Sequence, residues 1–103
     1  MTERSAFVLS VRPEKMDEYL EAHRNVWPEM LQALRDAGIR NYTIFRQGNQ
    51  VFGYFEADNL DRAGAYLAAQ EVNRGWQDAM AELLEARVPD EGPRRLEEIF
   101  RLD

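Results

Sequence analysis

The side chains in this sequence with the clearest potential for chemistry surround its only histidine. Tyr19 lies four residues before His23, and Trp27 lies four residues after it. On an α-helix, side chains four residues apart lie on one face. An imidazole can accept or donate a proton near neutral pH, and the neighbouring phenol and indole can contact a small polar ligand. The spacing therefore predicts a surface that binds and protonates a small polar molecule.

The same residues also have a purely structural interpretation. A lone histidine on a helix is more often a surface or core residue, and an aromatic stripe at helical spacing is more often part of a core. Asn41-Tyr42 at the start of a strand and Gly75-Trp76 within a helical run are further candidates. Glycine inside a helix costs about 1 kcal/mol relative to alanine, which is tolerable where backbone or ligand must approach closely. The spacing alone leaves both interpretations open.

Other kinds of site have no signature in the sequence. It contains no P-loop, no dinucleotide-binding glycine pattern, no serine or cysteine nucleophile motif and no metal-ligand spacing of Asp, Glu and His. Since there is no cysteine, disulfides and thiol chemistry are excluded. The sequence therefore gives no signature of a metal site, a nucleotide site or a nucleophilic catalyst.

The charge balance narrows the possible partners. The chain has 19 acidic and 13 basic residues, for a net charge of −6. Nucleic-acid binding and docking on anionic lipid both require a basic surface. The N-terminal apolar run, residues 6–11, is too short for a signal peptide or a membrane span. We expect a cytoplasmic protein that binds neither nucleic acid nor membrane.

The first helical region must position the histidine. Apolar and aromatic residues recur there at spacings of three and four, and Pro28 interrupts the pattern. Because proline cannot continue a helix but suits its first turn, we expect a break near residues 25–27 and a second helix beginning at Pro28. Gly38 is a suitable C-terminal cap for that second helix.

The remaining elements predict one α+β domain spanning residues 1–103. Residues 6–11 read as a first strand, and residues 39–46 and 51–56 read as an antiparallel hairpin. Helical runs follow from Asp58 or Asn59 as N-cap and from about Glu71. The closing segment Leu96–Leu102 is read as a fourth strand. The order β-α-β-β-α-β predicts a ferredoxin-like sandwich.

Apolar residues on both faces of the predicted strands indicate that something covers each face. Residues 6–9 are all apolar, and the third strand places large side chains on both sides. A sheet with one solvated face should instead alternate apolar and polar residues. We expect a homodimer with two sheets packed face to face. The alternative, which is compatible with it, is a ligand cavity that opens towards the helices.

Short motifs along the chain are specific in combination, although each is weak alone. They are Ala6-Phe7-Val8, Tyr19-x-x-x-His23, Trp27-Pro28-Glu29, Gly38-x-x-Asn41-Tyr42, Arg74-x-Trp76 and Leu96-Glu97-Glu98-Ile99-Phe100-x-Leu102. In these motifs the chain resembles the L-rhamnose mutarotase family over nearly its whole length. The resemblance implies a dimeric α+β barrel arrangement, no cofactor, and interconversion of the α and β anomers of a 6-deoxy-hexose.

The resemblance also implies roles for individual residues. His23 is the catalytic acid/base, and Tyr19, Tyr42, Gly75 and Trp76 belong to the substrate-binding set. The family commonly has a Trp-Trp pair where this chain has Gly75-Trp76, which implies a different pocket wall and leaves open which 6-deoxy sugar is bound. Ring opening needs one proton removed from the anomeric hydroxyl and one delivered to the ring oxygen. His23 can protonate the ring oxygen, and Tyr19, a water or a carboxylate can take the other proton.

Two functions of other classes stay open at this point. Haem-binding proteins and small monooxygenases share the dimeric ferredoxin-like plan, and a lone histidine such as His23 can ligate haem. The acidic composition and the lack of a basic cluster for propionates count against that function. A non-catalytic module that binds a sugar without changing its anomer exchange is the second alternative.

Overall fold

A three-stranded antiparallel sheet with helices against one face forms the fold. The protein is described here by a computed structural model that covers all 103 residues. The strands occur in the order β1-β3-β2 within the sheet. The elements in chain order are β1 (Glu3–Ser10), a 3-10 turn (Pro13–Lys15), α1 (Met16–Arg24), α2 (Pro28–Asp36), β2 (Arg40–Gln47), β3 (Gln50–Ala57), α3 (Leu60–Ala68) and α4 (Glu71–Ala81).

The predicted break in the first helical region is confirmed. Helix α1 ends at Arg24, and Pro28 is the first residue of α2. The carbonyl oxygen of Trp27 accepts hydrogen bonds from the backbone N–H groups of Met30 and Leu31, at 2.9 and 3.0 Å. Pro28 has no N–H to satisfy, so it suits this first turn. The break separates α1, which carries the histidine, from α2.

The predicted hairpin between the second and third strands is also confirmed. Strands β2 and β3 pair antiparallel, and Gly48 at the turn has φ +60°. The pairing register shifts between Arg40 and Thr43, where Asn41 adopts φ +55°. Asparagine is among the few residues that adopt this left-handed conformation at low cost. This irregularity immediately precedes Tyr42 and sets its place on the sheet.

The face of the sheet that meets the helices is closely packed around Phe7. Phe7 in β1 lies directly opposite Gly53 in β3, and both residues are buried. A Cβ atom at position 53 would overlap the Phe7 ring. Glycine at this position therefore lets the ring lie across β3, where it packs against Phe55 at a centroid distance of 6.4 Å. We call this side of the sheet, which carries Phe7 and Phe55, the inner face.

The opposite face of the sheet carries an apolar row that no part of the chain covers. Val8 pairs with Phe52, and Phe52 pairs with Phe45 across the next strand. Val8 is 37% exposed and Phe45 is 66% exposed. The helices pack on the other side, so these three residues form a continuous apolar row on the outer face.

The prediction of a fourth strand at Leu96–Leu102 is wrong for this chain, which shows no regular strand there. The segment runs beside the free edge of β1, where the Leu96 N–H donates to the Ala6 carbonyl oxygen at 2.7 Å. Glu98 forms an ion pair with Arg4 at 2.8 Å. No further backbone ladder forms, because the apolar side chains of this segment find no surface of the same chain to pack against. The chain itself therefore supplies three strands and four α-helices of the α+β fold.

The helices are short, and the longest, α4, has 11 residues. None of them has the length and the apolar character that crossing a membrane requires. The cytoplasmic location stays a prediction.

Candidate active site

A cavity of about 430 Å³ lies between the inner face of the sheet and helices α2, α3 and α4. This volume lies within the range of roughly 300–1,000 Å³ that is typical of ligand sites. Of its 22 lining residues, 12 are hydrophobic, so the wall is mainly apolar with a few polar groups. Those polar groups belong to Ser5, His23, Tyr42, Asn73, Gln77, Asp90, Glu91 and Arg95. A cavity of this kind suits a small molecule that has both apolar and hydroxyl surface.

His23 lines the cavity from the last turn of α1. Its Nδ1 lies 2.9 Å from the carbonyl oxygen of Tyr19. Because a carbonyl oxygen only accepts, Nδ1 carries the hydrogen and Nε2 of the neutral ring keeps a free lone pair. Burial lowers the pKa of His23 from its ordinary value of 6.5, and the hydrogen bond to Tyr19 opposes this more weakly. The imidazole is therefore neutral at physiological pH and can accept a proton at Nε2.

Tyr19 supports the histidine ring from behind. The two ring centroids are 4.2 Å apart, and the ring planes are inclined by 33°. Tyr19 is only 4% exposed, and burial raises the pKa of its hydroxyl to about 12. Its side chain is not part of the cavity lining. In this structure Tyr19 therefore fixes the position of His23 through both its ring and its carbonyl oxygen.

Trp76 on α4 completes the wall beside the histidine. Its ring meets His23 edge to face at a centroid distance of 5.6 Å and meets Trp27 in the same way at 5.1 Å. Trp76 is 8% exposed and lines the cavity, whereas Trp27 is 37% exposed and lies in a separate groove between α1 and α4. Trp27 thus supports the site from outside the cavity, through its contact with Trp76.

Gly75 lies against the Trp27 ring and not in the cavity wall. A Cβ atom added to Gly75 would lie 3.6 Å from Cζ3 of Trp27, so any longer side chain would meet that ring. The absence of a side chain at position 75 leaves the room that Trp27 occupies. Gly75 therefore affects the site through Trp27, which packs on Trp76.

Tyr42 reaches the cavity from β2 on the sheet side. Its ring packs at 5.2 Å from Phe55 and edge to face at 6.2 Å from Phe7. Loss of hydration among these neighbours raises the pKa of the Tyr42 hydroxyl, and the nearby Tyr19 raises it further, although 40% of the residue remains accessible. Tyr42 is therefore a neutral phenol that can donate or accept a hydrogen bond.

The structure thus brings His23, Tyr42 and Trp76 to one cavity, with Tyr19 behind the imidazole. Other polar residues of the wall were not anticipated from the sequence. Asn73 is the clearest case, because it lies with Trp76 on the buried face of α4, and the half-buried Gln77 follows Asn73 one helical turn later. Polar side chains at such buried helix positions were the signal that could have identified them.

Comparison with known proteins gives a consistent result. A sequence model described as L-rhamnose mutarotase matches residues 4–102. An L-rhamnose mutarotase of Oceanobacillus iheyensis is 34% identical over 103 residues, covering 97% of this chain and 98% of that protein. One of Pectobacterium carotovorum subsp. carotovorum is 38% identical over 104 residues with the same coverage.

A solved structure agrees with these sequence matches. The crystal structure of an L-rhamnose mutarotase from Formosa agariphila superposes with a TM-score of 0.80 at 31% identity, covering 98% of this chain and 99% of that one. The match is therefore to the fold as a whole and not to a part of either chain. These matches favour neither a haem-binding protein nor a monooxygenase.

Proposed function

This chain belongs to the L-rhamnose mutarotase family, and we propose that it interconverts the α and β anomers of L-rhamnose in the cavity beside His23. The observation that carries the proposal is a neutral imidazole with a free Nε2 on the wall of a mainly apolar cavity. Such a group can move a proton at physiological pH.

The proposed reaction opens the sugar ring, allows the aldehyde to rotate and closes the ring again. Neutral His23 accepts the proton of the anomeric hydroxyl at Nε2, and the imidazolium that forms delivers a proton to the ring oxygen. One nitrogen can serve both atoms, because the anomeric and the ring oxygen are bonded to the same carbon. The Tyr19 carbonyl oxygen holds Nδ1–H throughout and stabilises the imidazolium.

The remaining residues of the site bind and position the sugar in this proposal. Trp76 offers an aromatic surface to the C–H groups and the methyl group of a 6-deoxy-hexose, and Tyr42 offers a neutral hydroxyl. Tyr19 acts on the sugar indirectly in this proposal, by orienting His23. Gly75 contributes by leaving room for Trp27, which supports the Trp76 ring.

Saturation-transfer NMR tests the activity on the free sugar. The two anomeric protons of L-rhamnose give separate signals, so saturating one reports the exchange rate with and without the protein. The panel should include L-mannose, which differs only by a hydroxyl at C6, and L-fucose, another 6-deoxy-hexose. We expect the largest acceleration with L-rhamnose. Binding without acceleration would instead identify a non-catalytic sugar-binding module, and no effect on any sugar would refute the proposal.

We further propose that this chain has a variant of the ferredoxin-like plan and that two copies form a homodimer by packing their outer faces together. The row formed by Val8, Phe52 and Phe45 supports this, because exposed contiguous apolar residues mark interaction surfaces. The C-terminal segment adds Ile99, which is 87% exposed, and Phe100, which is 79% exposed. In a face-to-face dimer these side chains gain the apolar surface that a single copy does not offer.

A further inference from the structure

A buried asparagine on α4 fixes the orientation of a second amide in the cavity wall. Asn73 is 1% exposed. Its Nδ2 donates to the carbonyl oxygen of Leu67 at 3.1 Å and to that of Asp90 at 2.9 Å. Since carbonyl oxygens only accept, only the NH₂ side of the amide can make both bonds. The Oδ1 atom of Asn73 must then face the other way, towards Gln77.

Gln77 is thereby held in one of its two possible orientations. Its Nε2 donates to Asn73 Oδ1 at 3.2 Å, and this is the only hydrogen bond that the Gln77 side chain makes. An exchange of its nitrogen and oxygen would place two acceptors against each other. Gln77 lines the cavity, and the hydrogen-bonding groups that its amide has left are Oε1, an acceptor, and the second N–H of Nε2.

We propose that Gln77 is a specificity-determining residue whose Oε1 accepts a hydrogen bond from a ring hydroxyl of the sugar. The inference rests on the proposed function, because it assigns a partner to a sugar bound in the same cavity. A site built to pair with a hydroxyl discriminates strongly against an analogue that lacks it, since its polar group is then left unpaired. Gln77 would thus distinguish sugars by a hydroxyl, whereas the apolar wall recognises the methyl group.

The network also explains why this amide is rigid enough to discriminate. The segment that supplies the Asp90 carbonyl oxygen is held against α3, where a Cβ atom on Gly64 would lie 2.7 Å from the Glu91 carbonyl oxygen. The Asp90 side chain is further tied to Arg87 at 2.9 Å. Asn73 therefore bonds to two fixed backbone atoms, and Gln77 bonds to a fixed Asn73. An acceptor that is held in place costs less entropy to use.

The test combines two variants with monodeoxy analogues of L-rhamnose. Gln77→Met removes the amide in a similar volume, and Gln77→Glu keeps an acceptor oxygen but loses the donor to Asn73. Gln32→Met, on the exposed side of α2, is the matched control. Affinity is measured by NMR titration, and anomer exchange by saturation transfer, for L-rhamnose and its 2-, 3- and 4-deoxy analogues.

We expect Gln77→Met to weaken L-rhamnose binding about 10-fold, equivalent to about 1.4 kcal/mol. Gln77→Glu should also weaken binding, because Asn73 no longer holds the side chain, but its carboxylate oxygen still accepts from the hydroxyl, so it should still discriminate against one deoxy analogue. Wild-type protein should bind one deoxy analogue about 10-fold more weakly than L-rhamnose. For that analogue alone, the affinities of Gln77→Met and of wild type should be equal, because the hydroxyl that pairs with Gln77 is missing. Gln32→Met should match wild type with every sugar.

An equal loss with every analogue would overturn the proposal, because it would show that Gln77 only maintains the structure. If Gln77→Met does not fold, the affinities of wild type and of Gln77→Glu for L-rhamnose and its three deoxy analogues still test the proposal. Equal wild-type affinity for all three deoxy analogues would then refute the inference. A protein that binds these sugars with the predicted pattern but accelerates no exchange would refute the proposed function and leave the role of Gln77 in binding intact.

Discussion

The two faces of the sheet are both apolar, but they differ in what covers them. Phe7 on the inner face is 2% exposed beneath the helices, whereas Phe45 on the outer face is 66% exposed. The inner face also carries polar groups beside its apolar ones, since Ser5 and Tyr42 both line the cavity. The middle of the outer face, by contrast, is the uninterrupted row of Val8, Phe52 and Phe45.

This difference assigns the chemistry to one face of the sheet and the assembly of copies to the other. Polar groups on a mainly apolar cavity wall suit a ligand that has both hydroxyl and apolar surface, so we infer that the inner face binds the ligand. Large apolar groups exposed to water are costly in a different way, so their presence on the outer face indicates another protein surface. The inner face should therefore control anomer exchange, and the outer face should control self-association.

Replacement of His23 by alanine should have the largest effect. The variant loses the group that moves the proton, so we expect catalysed exchange of L-rhamnose anomers to fall by about 10²–10⁴-fold in saturation-transfer NMR. Arg24→Ala is the matched control, since Arg24 is the next residue of α1 and its side chain is 65% exposed. Exchange at the wild-type rate in the His23 variant would contradict the assignment of catalysis to the cavity at the inner face.

Gly53→Ala should be the most damaging small change to the floor of the inner face. The added methyl group overlaps the Phe7 ring, so we expect the free energy of unfolding in urea to fall by about 1–3 kcal/mol. The double variant Gly53→Ala/Phe7→Leu frees the space and should lose less than the sum of the two single variants. Strict additivity would show that the two residues do not share this space.

Phe45→Glu should separate assembly from stability on the outer face. A carboxylate in the centre of an apolar interface should weaken the dimer by roughly 30-fold or more, measured by sedimentation equilibrium. Ala65→Glu adds the same charge at an exposed position of α3 and should leave the dimer unchanged. Wild-type protein that stays monomeric at every concentration would contradict the proposed role of this face.

Glu98→Gln should have the smallest effect. Glu98 forms two-point hydrogen bonds with Arg4 at 2.8–3.0 Å, but its side chain is 53% exposed. An ion pair this open to water contributes at most about 1 kcal/mol, less in high salt. We expect the free energy of unfolding to change by less than that, with the difference from wild type shrinking further in 1 M NaCl. A loss of several kcal/mol would mean that the C-terminal segment is part of the stable core.

Local signals in the sequence predicted most of the elements. Pro28 marked the break between α1 and α2, Gly48 lies in the hairpin turn, and Asn59 caps α3 by accepting from the Arg62 N–H at 2.9 Å. Each of these effects depends on a few neighbouring residues, so a pattern in the sequence can identify it.

Features that depend on distant contacts could not be predicted in this way. The strand formers in Leu96–Leu102 do not form a strand, because strand formation needs a partner surface and not only propensity. The contact between Gly75 and Trp27 joins two helical regions, and no local pattern indicates it. Similarly, the orientation of Gln77 follows from Asn73 and from a backbone carbonyl of Asp90 in a loop further along the chain.

The pH dependence of exchange, measured beside the titration of His23 itself, tests the central claim most directly. NMR of the imidazole should give a pKa below 6.5, because burial disfavours the charged ring. Catalysed exchange should fall as the pH is lowered through that same pKa, since the protonated ring has no lone pair for the anomeric proton. The free energy of unfolding should also fall below about pH 6.5, where the unfolded chain binds the proton more readily. Undiminished exchange while His23 is protonated, or a pKa above 6.5, would contradict a neutral His23 as the proton acceptor.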